Sequence, residues 1–356
     1  MKNIYSLFIK PNQRKNLVTK LAGAILLLIG LQNFDAQVST YSFAQSSGTY
    51  TPITGTVLGT ATGNTTTTNL NSAVYPVTLP FTFIYNGTPQ NALNVSTNGF
   101  VTFGATAPTT TLGAPISSTT AYDGAISAWG RDISSFFDIN GTSGSINWQT
   151  LGSAPNREVV IQWSNFRPNN STSVTAVYAF SFQIRLKETT NAIQMVYNSG
   201  SYLAGTTALD LTAQIGLRGS SNTDFKNRTN EDTVAFTSSS AGTANNASQS
   251  FNTTNPVPGM PPAGLTYTFT PSTCFPPASV NTNAITTTGG TVNWTASVPA
   301  PSNGYDVYYT TSSAIPANNV TPQFTGVSGT SQVLTGLMPS STYYVYVRAN
   351  CGGGNT

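Results

Sequence analysis

Hydrophobic and polar residues alternate along much of this chain, most clearly from Val174 to Lys187. The even-numbered positions of that segment are all apolar, whereas the odd-numbered positions include Thr, Ser, Gln, Arg and Lys. A period of two places one row of side chains in a core and the other on the opposite face of a β-strand. The alternation resumes at 193–197 after the polar residues 188–191. We therefore predict that the two segments form a hairpin.

Other segments predict further strands. A second hairpin is expected across 144–163, and 77–85 reads as an amphipathic strand that is closed by Asn86-Gly87. Asn98-Gly99 stands between two short apolar segments, which is a strong signal for a type I′ hairpin turn. Strands are also predicted at 214–217 and 265–270, and surface loops at 59–72 and 238–258. Many short strands between turns predict an all-β fold with a large antiparallel β-sandwich or jelly-roll-like domain.

The first 37 residues have the pattern of a secretory signal peptide. Five of the 14 basic residues precede an apolar run at 21–31, and a cleavage position follows near Ala36 or Gln37. The run is shorter than the ~20 apolar residues that span a membrane, so no transmembrane span is expected. The alternative is an uncleaved anchor. We expect a secreted protein, in the extracellular space or on the outer cell surface.

Composition and charge narrow the function. The chain has no histidine, which excludes the Ser-His-Asp triad, Cys-His catalysis and imidazole metal sites. Charged residues make up 7% of the chain, and nucleic-acid binding needs clusters of Lys and Arg. Because five of 14 bases and one of 11 acids lie in 1–37, the remainder holds nine bases and ten acids. A nearly neutral, hydroxyl-rich surface suits neutral partners better than electrostatic capture.

The C-terminal part carries a more specific pattern. Leu337-x-Pro339 is followed by Tyr343-x-Val345-x-Val347-x-Ala349, and Trp294 lies in an earlier apolar segment. This run resembles the fibronectin type III module. The resemblance covers about 275–356, and we place the module at 278–356, with a Pro-rich linker at 272–277 after the N-terminal domain at 38–271.

The resemblance has three implications for this module. It implies a core position for Trp294 and a corner role for Tyr343, whose hydroxyl would bond to the backbone upstream. Six strands can be assigned, with the sixth around Val345, and none is left for the last strand of the family. We therefore expect an incomplete module, and a continuation that supplies the strand and a sorting domain for the type IX secretion machinery.

The two cysteines, Cys274 and Cys351, flank this module. In the family the first strand begins at the pole where the sixth strand ends, so the resemblance implies that the two thiols meet. An extracellular location permits oxidation, and we expect a disulfide, with two free thiols as the alternative.

The N-terminal domain carries a further resemblance in six segments, which are Tyr41–Phe43, Val95–Gly104, Ala125–Trp129, Asn156–Trp163, Gln214–Gly219 and Pro262–Pro271. It is similar to the N-terminal β-sandwich of type IX-secreted surface proteins, and parts are similar to nidogen-like extracellular domains. That family has no agreed catalytic residues. Trp163 lies on an apolar strand face and is predicted to be a core residue.

Candidate binding residues cluster between 123 and 138. Trp129 could stack on a sugar, and Arg131, Asp132 and Asp138 could complete a polar site. Asp123, Asp132 and Asp138 are also the best candidates for carboxylate-based glycoside hydrolysis, although a structural ion pair of Arg131 with Asp132 is the simpler interpretation. No cofactor is expected, and the alternative is a Ca²⁺ ion that Asp132 and Asp138 hold.

These observations favour a non-catalytic adhesion or binding protein that recognises a glycan or a protein through 38–271. The alternative is a carbohydrate-active enzyme or its accessory module. Asp232-Thr233-Val234 matches the O-glycosylation pattern of the surface proteins that the chain resembles.

Overall fold

The computed structural model describes residues 38–352, except 170, 171, 273, 278, 299 and 318. The predicted signal peptide, 1–37, lies outside these residues. The described chain forms two compact units, which meet in sequence between Pro271 and Ser272. Both units consist of strands and loops, with two short 3₁₀ turns at Val38–Thr40 and Phe236–Ser238. The all-β fold class is therefore confirmed.

The strands of the N-terminal domain follow in chain order. They are β1 (Ser42–Ser47), β2 (Thr56–Thr60), β3 (Val74–Tyr85), β4 (Thr88–Ser96), β5 (Phe100–Phe103), β6 (Gly124–Gly130), β7 (Ile133–Ser134), β8 (Ser145–Leu151), β9 (Glu158–Pro168), β10 (Val177–Lys187), β11 (Ile193–Tyr197), β12 (Ser201–Ala204), β13 (Asp210–Arg218), β14 (Phe225–Thr229), β15 (Ser240–Ala241), β16 (Gln249–Asn252) and β17 (Leu265–Thr270).

Two antiparallel sheets make up this domain. The first has the order β1-β17-β11-β10-β9-β8-β2, with β12 beside β10 and β7 beside β9. The second has the order β15-β14-β13-β6-β5-β4-β3, with β16 beside β13. One hydrophobic core contains side chains from both sheets, such as Phe182 and Trp163 of the first and Trp129 and Phe103 of the second. The domain is thus the sandwich that the alternation predicted.

Strand β10 shows how the alternation in the sequence corresponds to the burial of its side chains. Its even-numbered residues from Tyr178 to Leu186 all lie in the core, as predicted, and β10 pairs with β11 as the expected hairpin. The segment before Val177 does not continue the strand, and Val174 is 49% exposed. The odd-numbered face is not simply solvated, because Gln183 is completely buried.

The buried glutamines hold two chain segments across the outer faces of the sheets. Gln183 Nε2 donates to the carbonyl of Thr51 at 2.8 Å, and Gln162 Oε1 accepts from the backbone N of Ile53 at 2.9 Å. The connection from β1 to β2 thereby covers the first sheet. On the second sheet, Gln214 Oε1 accepts from the backbone N of Ile116 at 2.9 Å. The connection from β5 to β6 is held there in the same way.

The two Asn-Gly turns differ. Tyr85 pairs with Thr88, and both Asn86 and Gly87 have positive φ, so this is a two-residue turn of the type I′ kind. At the second site Ser96 pairs with Phe100, which leaves a three-residue loop, and only Gly99 of that loop has a positive φ.

The prediction of a hairpin at Asn98-Gly99 is right, but the predicted turn type is wrong. Asn98 is fully buried, and its side chain serves other segments. Its Nδ2 donates to the Leu112 carbonyl at 3.0 Å, and its Oδ1 accepts from the Ile133 backbone N at 3.2 Å. These bonds determine the conformation of Asn98 in place of the local turn preference.

The segment 238–258 is also not the plain loop that its polar composition predicts. It contains β15 and β16, and β16 pairs with β13. Phe251 of β16 is fully buried in the main core. A single aromatic residue in a Ser- and Asn-rich segment is enough to anchor it, because the pairing strand β13 supplies the hydrogen bonds.

The C-terminal module has six strands in its described residues: β18 (Val280–Asn283), β19 (Gly289–Trp294), β20 (Tyr305–Thr310), β21 (Phe324–Val327), β22 (Ser331–Thr335) and β23 (Tyr344–Ala349). They form two sheets, β18-β19-β22 and β21-β20-β23. Trp294 and Tyr343 lie in the core between them, and the Tyr343 hydroxyl accepts from the Met338 backbone N at 3.0 Å. Cys274 and Cys351 form a disulfide with a Cα–Cα distance of 5.7 Å, which confirms the predicted pairing.

Candidate functional site

The strand directions divide the ends of the N-terminal sandwich into two poles. At one end, which we call the base, lie the turns 86–87, 152–157, 188–192 and 219–224. The domain also begins and ends there, because Ser42 of β1 pairs with Thr270 of β17. Asp224 Oδ2 accepts from the backbone N of Val38 at 3.1 Å, which holds the first described residue at the base.

The opposite end, which we call the loop pole, is formed by longer connections. They are 61–73, 97–99, 109–113, 131–144, 168–176, 198–209 and 253–258. The sandwich therefore places these seven segments at the end opposite the position where the chain leaves the domain. Loops at one end of a rigid sandwich are a common location for binding residues.

The loop pole is almost uncharged. Its segments contain only three charged residues, Arg131, Asp132 and Asp138, and many Thr, Ser and Asn residues. Exposed positions include Thr62, Thr109 and the threonines of 206–207. Hydroxyl and amide groups on such a surface can donate or accept hydrogen bonds without the desolvation cost of an ion.

Exposed apolar side chains accompany these polar groups. Among the described residues of the domain, four large hydrophobic side chains are exposed, and three of them lie at the loop pole. These are Phe137 at 43%, Val174 at 49% and Val257 at 44%. The fourth is Val57 of the edge strand β2. Apolar groups within a polar rim are typical of protein-binding surfaces.

The loop that presents Phe137 is held in place by hydrogen bonds. The backbone N of Phe137 donates to Asn64 Oδ1, and Asn64 Nδ2 donates to the Phe137 carbonyl, both at 2.9 Å. Asn140 Nδ2 donates to the carbonyl of Leu203 at 2.5 Å. Three loops of the pole are thereby joined, which reduces the entropy cost of ordering them when a partner binds.

The segment around Asp138 is a tight turn. Ile139 and Thr142 exchange backbone hydrogen bonds, and Asn140 and Gly141 between them both have positive φ. Asp138 is exposed, and its backbone N donates to Ser143 Oγ at 2.9 Å. The described residues contain no group of three or more acidic, Cys or His side chains that could hold a metal ion. The Asp-x-Asn-Gly sequence forms a turn here, and a Ca²⁺ ion held by Asp132 and Asp138 with backbone carbonyls stays a prediction.

Arg131 and Asp132 contact different neighbours at the loop pole. Arg131 Nη1 donates to the carbonyl of Thr212 at 2.8 Å. Burial lowers the pKa of Arg131, and the Asp132 charge opposes that shift. Asp132 Oδ2 accepts from Asn169 Nδ2 at 3.1 Å, which joins the end of β9 to the start of β7. Arg131 therefore holds its loop against strand β13, and the exposed Asp132 joins its loop to the segment after β9.

Trp129 is not available to a ligand, which corrects the expectation that it stacks on a sugar. Its side chain is completely buried. The indole contacts the rings of Phe180 and Phe251 at centroid distances of 4.7 and 4.8 Å, and it also packs on Phe182, Tyr197 and Phe236. Trp163 is buried as well, and its Nε1 donates to the Ser96 carbonyl at 3.0 Å.

The acidic residues between 123 and 138 do not form one cluster. Asp123 precedes β6 at the base, and Asp132 follows β6 at the loop pole. The seven residues of β6 separate the two by roughly 20 Å. Glycoside hydrolysis needs carboxyl groups ~5–10 Å apart, so this pair cannot perform it. Asp123 therefore cannot form a catalytic pair with Asp132.

A buried arginine that the sequence pattern did not single out lies below the loop pole. Arg167 is 3% exposed, and its cross-strand neighbour is Ser134. Arg167 Nη1 donates to the Ser173 carbonyl, and its guanidinium lies 5.9 Å from the centre of the Phe136 ring. Burial lowers the pKa of Arg167. Strict alternation from Val159 to Trp163 would place position 167 on the apolar face of β9, and the irregular pairing before Phe166 turns it to the other face, so no local pattern marked this arginine.

The predicted O-glycosylation sequence lies on an exposed turn. Asp232 and Thr233 are exposed, and the backbone N of Val234 donates to the Glu231 carbonyl at 2.8 Å to close the turn. A modifying enzyme could therefore reach the Thr233 hydroxyl.

Two family models match the chain. The one described as NIDO related matches residues 40–271, and the one described as fibronectin type III domain matches residues 275–356. No curated protein matches the sequence. Within the described residues, no helix has the length and hydrophobicity to cross a membrane.

Proposed function

Since the chain belongs to the NIDO-related family, we propose that it is a secreted, non-catalytic protein that binds an extracellular protein through the loop pole. NIDO-related and fibronectin type III domains are typical of extracellular binding and adhesion modules. The observation that carries the proposal is the almost uncharged surface with Phe137, Val174 and Val257 exposed among hydroxyl groups.

A protein partner fits this surface better than a glycan. Glycan recognition commonly uses an aromatic face, and the tryptophan that was the candidate for it is buried in the core. Of the three exposed hydrophobic side chains at the loop pole, only Phe137 has a ring, and Val174 and Val257 offer apolar contact without a stacking plane. The proposed interaction needs no cofactor, and the absence of histidine from the chain supports a non-catalytic role.

Other parts of the proposal concern export. We propose that 1–37 is a signal peptide, and that type IX secretion delivers the protein to the outer surface. The basic and apolar pattern of 1–37 supports the first point, and the resemblance of 38–271 to exported surface proteins supports the second.

The binding proposal predicts a large effect of Phe137→Asp. A charge at this exposed apolar position is expected to weaken binding at least about tenfold, because truncation of an aromatic residue that anchors an interface alone commonly costs that much. The measurement is binding of the full chain to an array of purified extracellular matrix proteins and, in parallel, to an array of neutral glycans.

Val57→Asp is the matched control, because Val57 is 55% exposed in the same domain but lies on an edge strand. We expect this variant to bind as the unmodified chain does. An equal loss of binding in the Phe137→Asp and Val57→Asp variants, or binding of the unmodified chain to glycans alone, would contradict the proposal that the loop pole binds a protein.

A further inference from the structure

The disulfide occupies a particular place in the path of the chain through the C-terminal module. Cys274 precedes the first strand of the module, β18, and Cys351 follows β23. The two cysteines are 77 positions apart in sequence, but their Cα atoms are separated by 5.7 Å. All six strands described for the module therefore lie inside the covalent loop that the disulfide closes.

We propose that this disulfide protects the fibronectin type III module from mechanical unfolding. Tension between the N-terminal domain and the residues after Cys351 passes from Cys274 to Cys351 through the sulfur–sulfur bond. Strands β18 to β23 lie in the chain segment between the two cysteines. Because the shorter path through the disulfide bears the force, this segment carries no sustained tension. A covalent bond withstands far larger forces than hydrogen bonds and side-chain packing, so the module stays folded under tension.

The arrangement of the strands shows what the disulfide prevents. Without it, tension would enter the module at β18 and leave at β23. These two strands belong to different sheets, which no backbone hydrogen bonds connect in the described pairing. The sheets are held together by one core that includes Val292, Trp294 and Val345. Tension would pull directly against this packing, which lacks the directional resistance of a strand ladder.

The N-terminal domain has no such protection. Its first and last strands, β1 and β17, are antiparallel neighbours, and their outer ends meet at the pair Ser42–Thr270. Tension applied at the two ends of the domain loads this pair first and opens the ladder one pair at a time. We therefore expect the N-terminal domain to extend under tension while the oxidised module stays folded.

Single-molecule force spectroscopy on the chain without residues 1–37, held at its two ends, tests the proposal. Unfolding of the N-terminal domain, residues 38–271, should release roughly 800 Å of chain in every molecule and marks a correctly held protein. Unfolding of the segment between the cysteines, which are 77 positions apart, would release roughly 250 Å more. We expect that second release only after a dithiol reductant has been added.

The variant with both Cys274→Ser and Cys351→Ser is the control, and it should show the longer total extension without reductant. If the substitutions unfold the module before tension is applied, the extended length still exceeds that of the oxidised protein by the same roughly 250 Å. A release of this size in the oxidised protein would overturn the proposal. The proposal rests on the proposed function only for the origin of the tension. The measurement uses no ligand, so failure to find a binding partner would leave its outcome unchanged.

Discussion

Replacement of Trp129 with alanine is expected to lower the free energy of unfolding of the N-terminal domain by about 3–5 kcal/mol. The indole is completely buried and contacts five aromatic rings from both sheets. Its removal leaves a cavity at the centre of the core, which the sheets on either side cannot close without moving. Denaturant unfolding of the full chain, followed by far-ultraviolet circular dichroism, measures the change.

Trp148→Ala provides the matched control for this substitution. Trp148 lies on β8, is only partly buried and packs against the edge of the same core. Its replacement should cost clearly less than that of Trp129. A different result, in which Trp129→Ala leaves the domain stable but abolishes partner binding, would restore Trp129 as a binding residue.

Removal of the disulfide is expected to have the second large effect. The closed loop of 77 residues corresponds to about 4 kcal/mol in the chain-entropy model. The double variant Cys274→Ser and Cys351→Ser should therefore unfold at a much lower temperature in the C-terminal module. Differential scanning calorimetry can follow the transitions of the two units in one experiment.

The N-terminal domain is the internal reference in that experiment, because both cysteines of the chain lie outside 38–271. Its transition should keep the same midpoint in the oxidised protein and in the double variant. Treatment of the unmodified chain with a reductant should reproduce the effect of the double substitution. An unchanged module transition would mean that the disulfide contributes no measurable stability.

Local patterns predicted the strands that bury one face. In β3, the apolar residues Val77, Leu79, Phe81, Phe83 and Tyr85 alternate along the sequence, and all five are buried. The hairpins β8–β9 and β10–β11 were predicted in the same way and are confirmed by their registers. The disulfide was predicted through the resemblance to a known module, since spacing alone leaves free thiols open.

Local patterns failed where a distant segment competes for the same side chain. The sequence around Asn98 predicts a hairpin turn residue, but its side chain forms hydrogen bonds with the loop at 110–112 and with Ile133 of β7. Phe251 is a single apolar residue in a polar segment. It is buried because β16 pairs with β13, which no local sequence pattern indicates. The acidic residues near β6 are neighbours in sequence, but the strand between them separates Asp123 from Asp132.

The sequence by itself determined the all-β class, the amphipathic strands and the division into a large domain and a fibronectin type III module. Periodicity determines the class and the strands, because the alternation within each strand marks its buried face, whereas the division into domains rested on the resemblance of 278–356 to a known module. The tertiary structure alone decided that Trp129 belongs to the core and that Gln162, Gln183 and Gln214 hold segments across the sheets. It also decided that Phe137, Val174 and Val257 share one pole. These relations depend on which strand ends come together, and no local pattern records the pairing of segments a hundred residues apart.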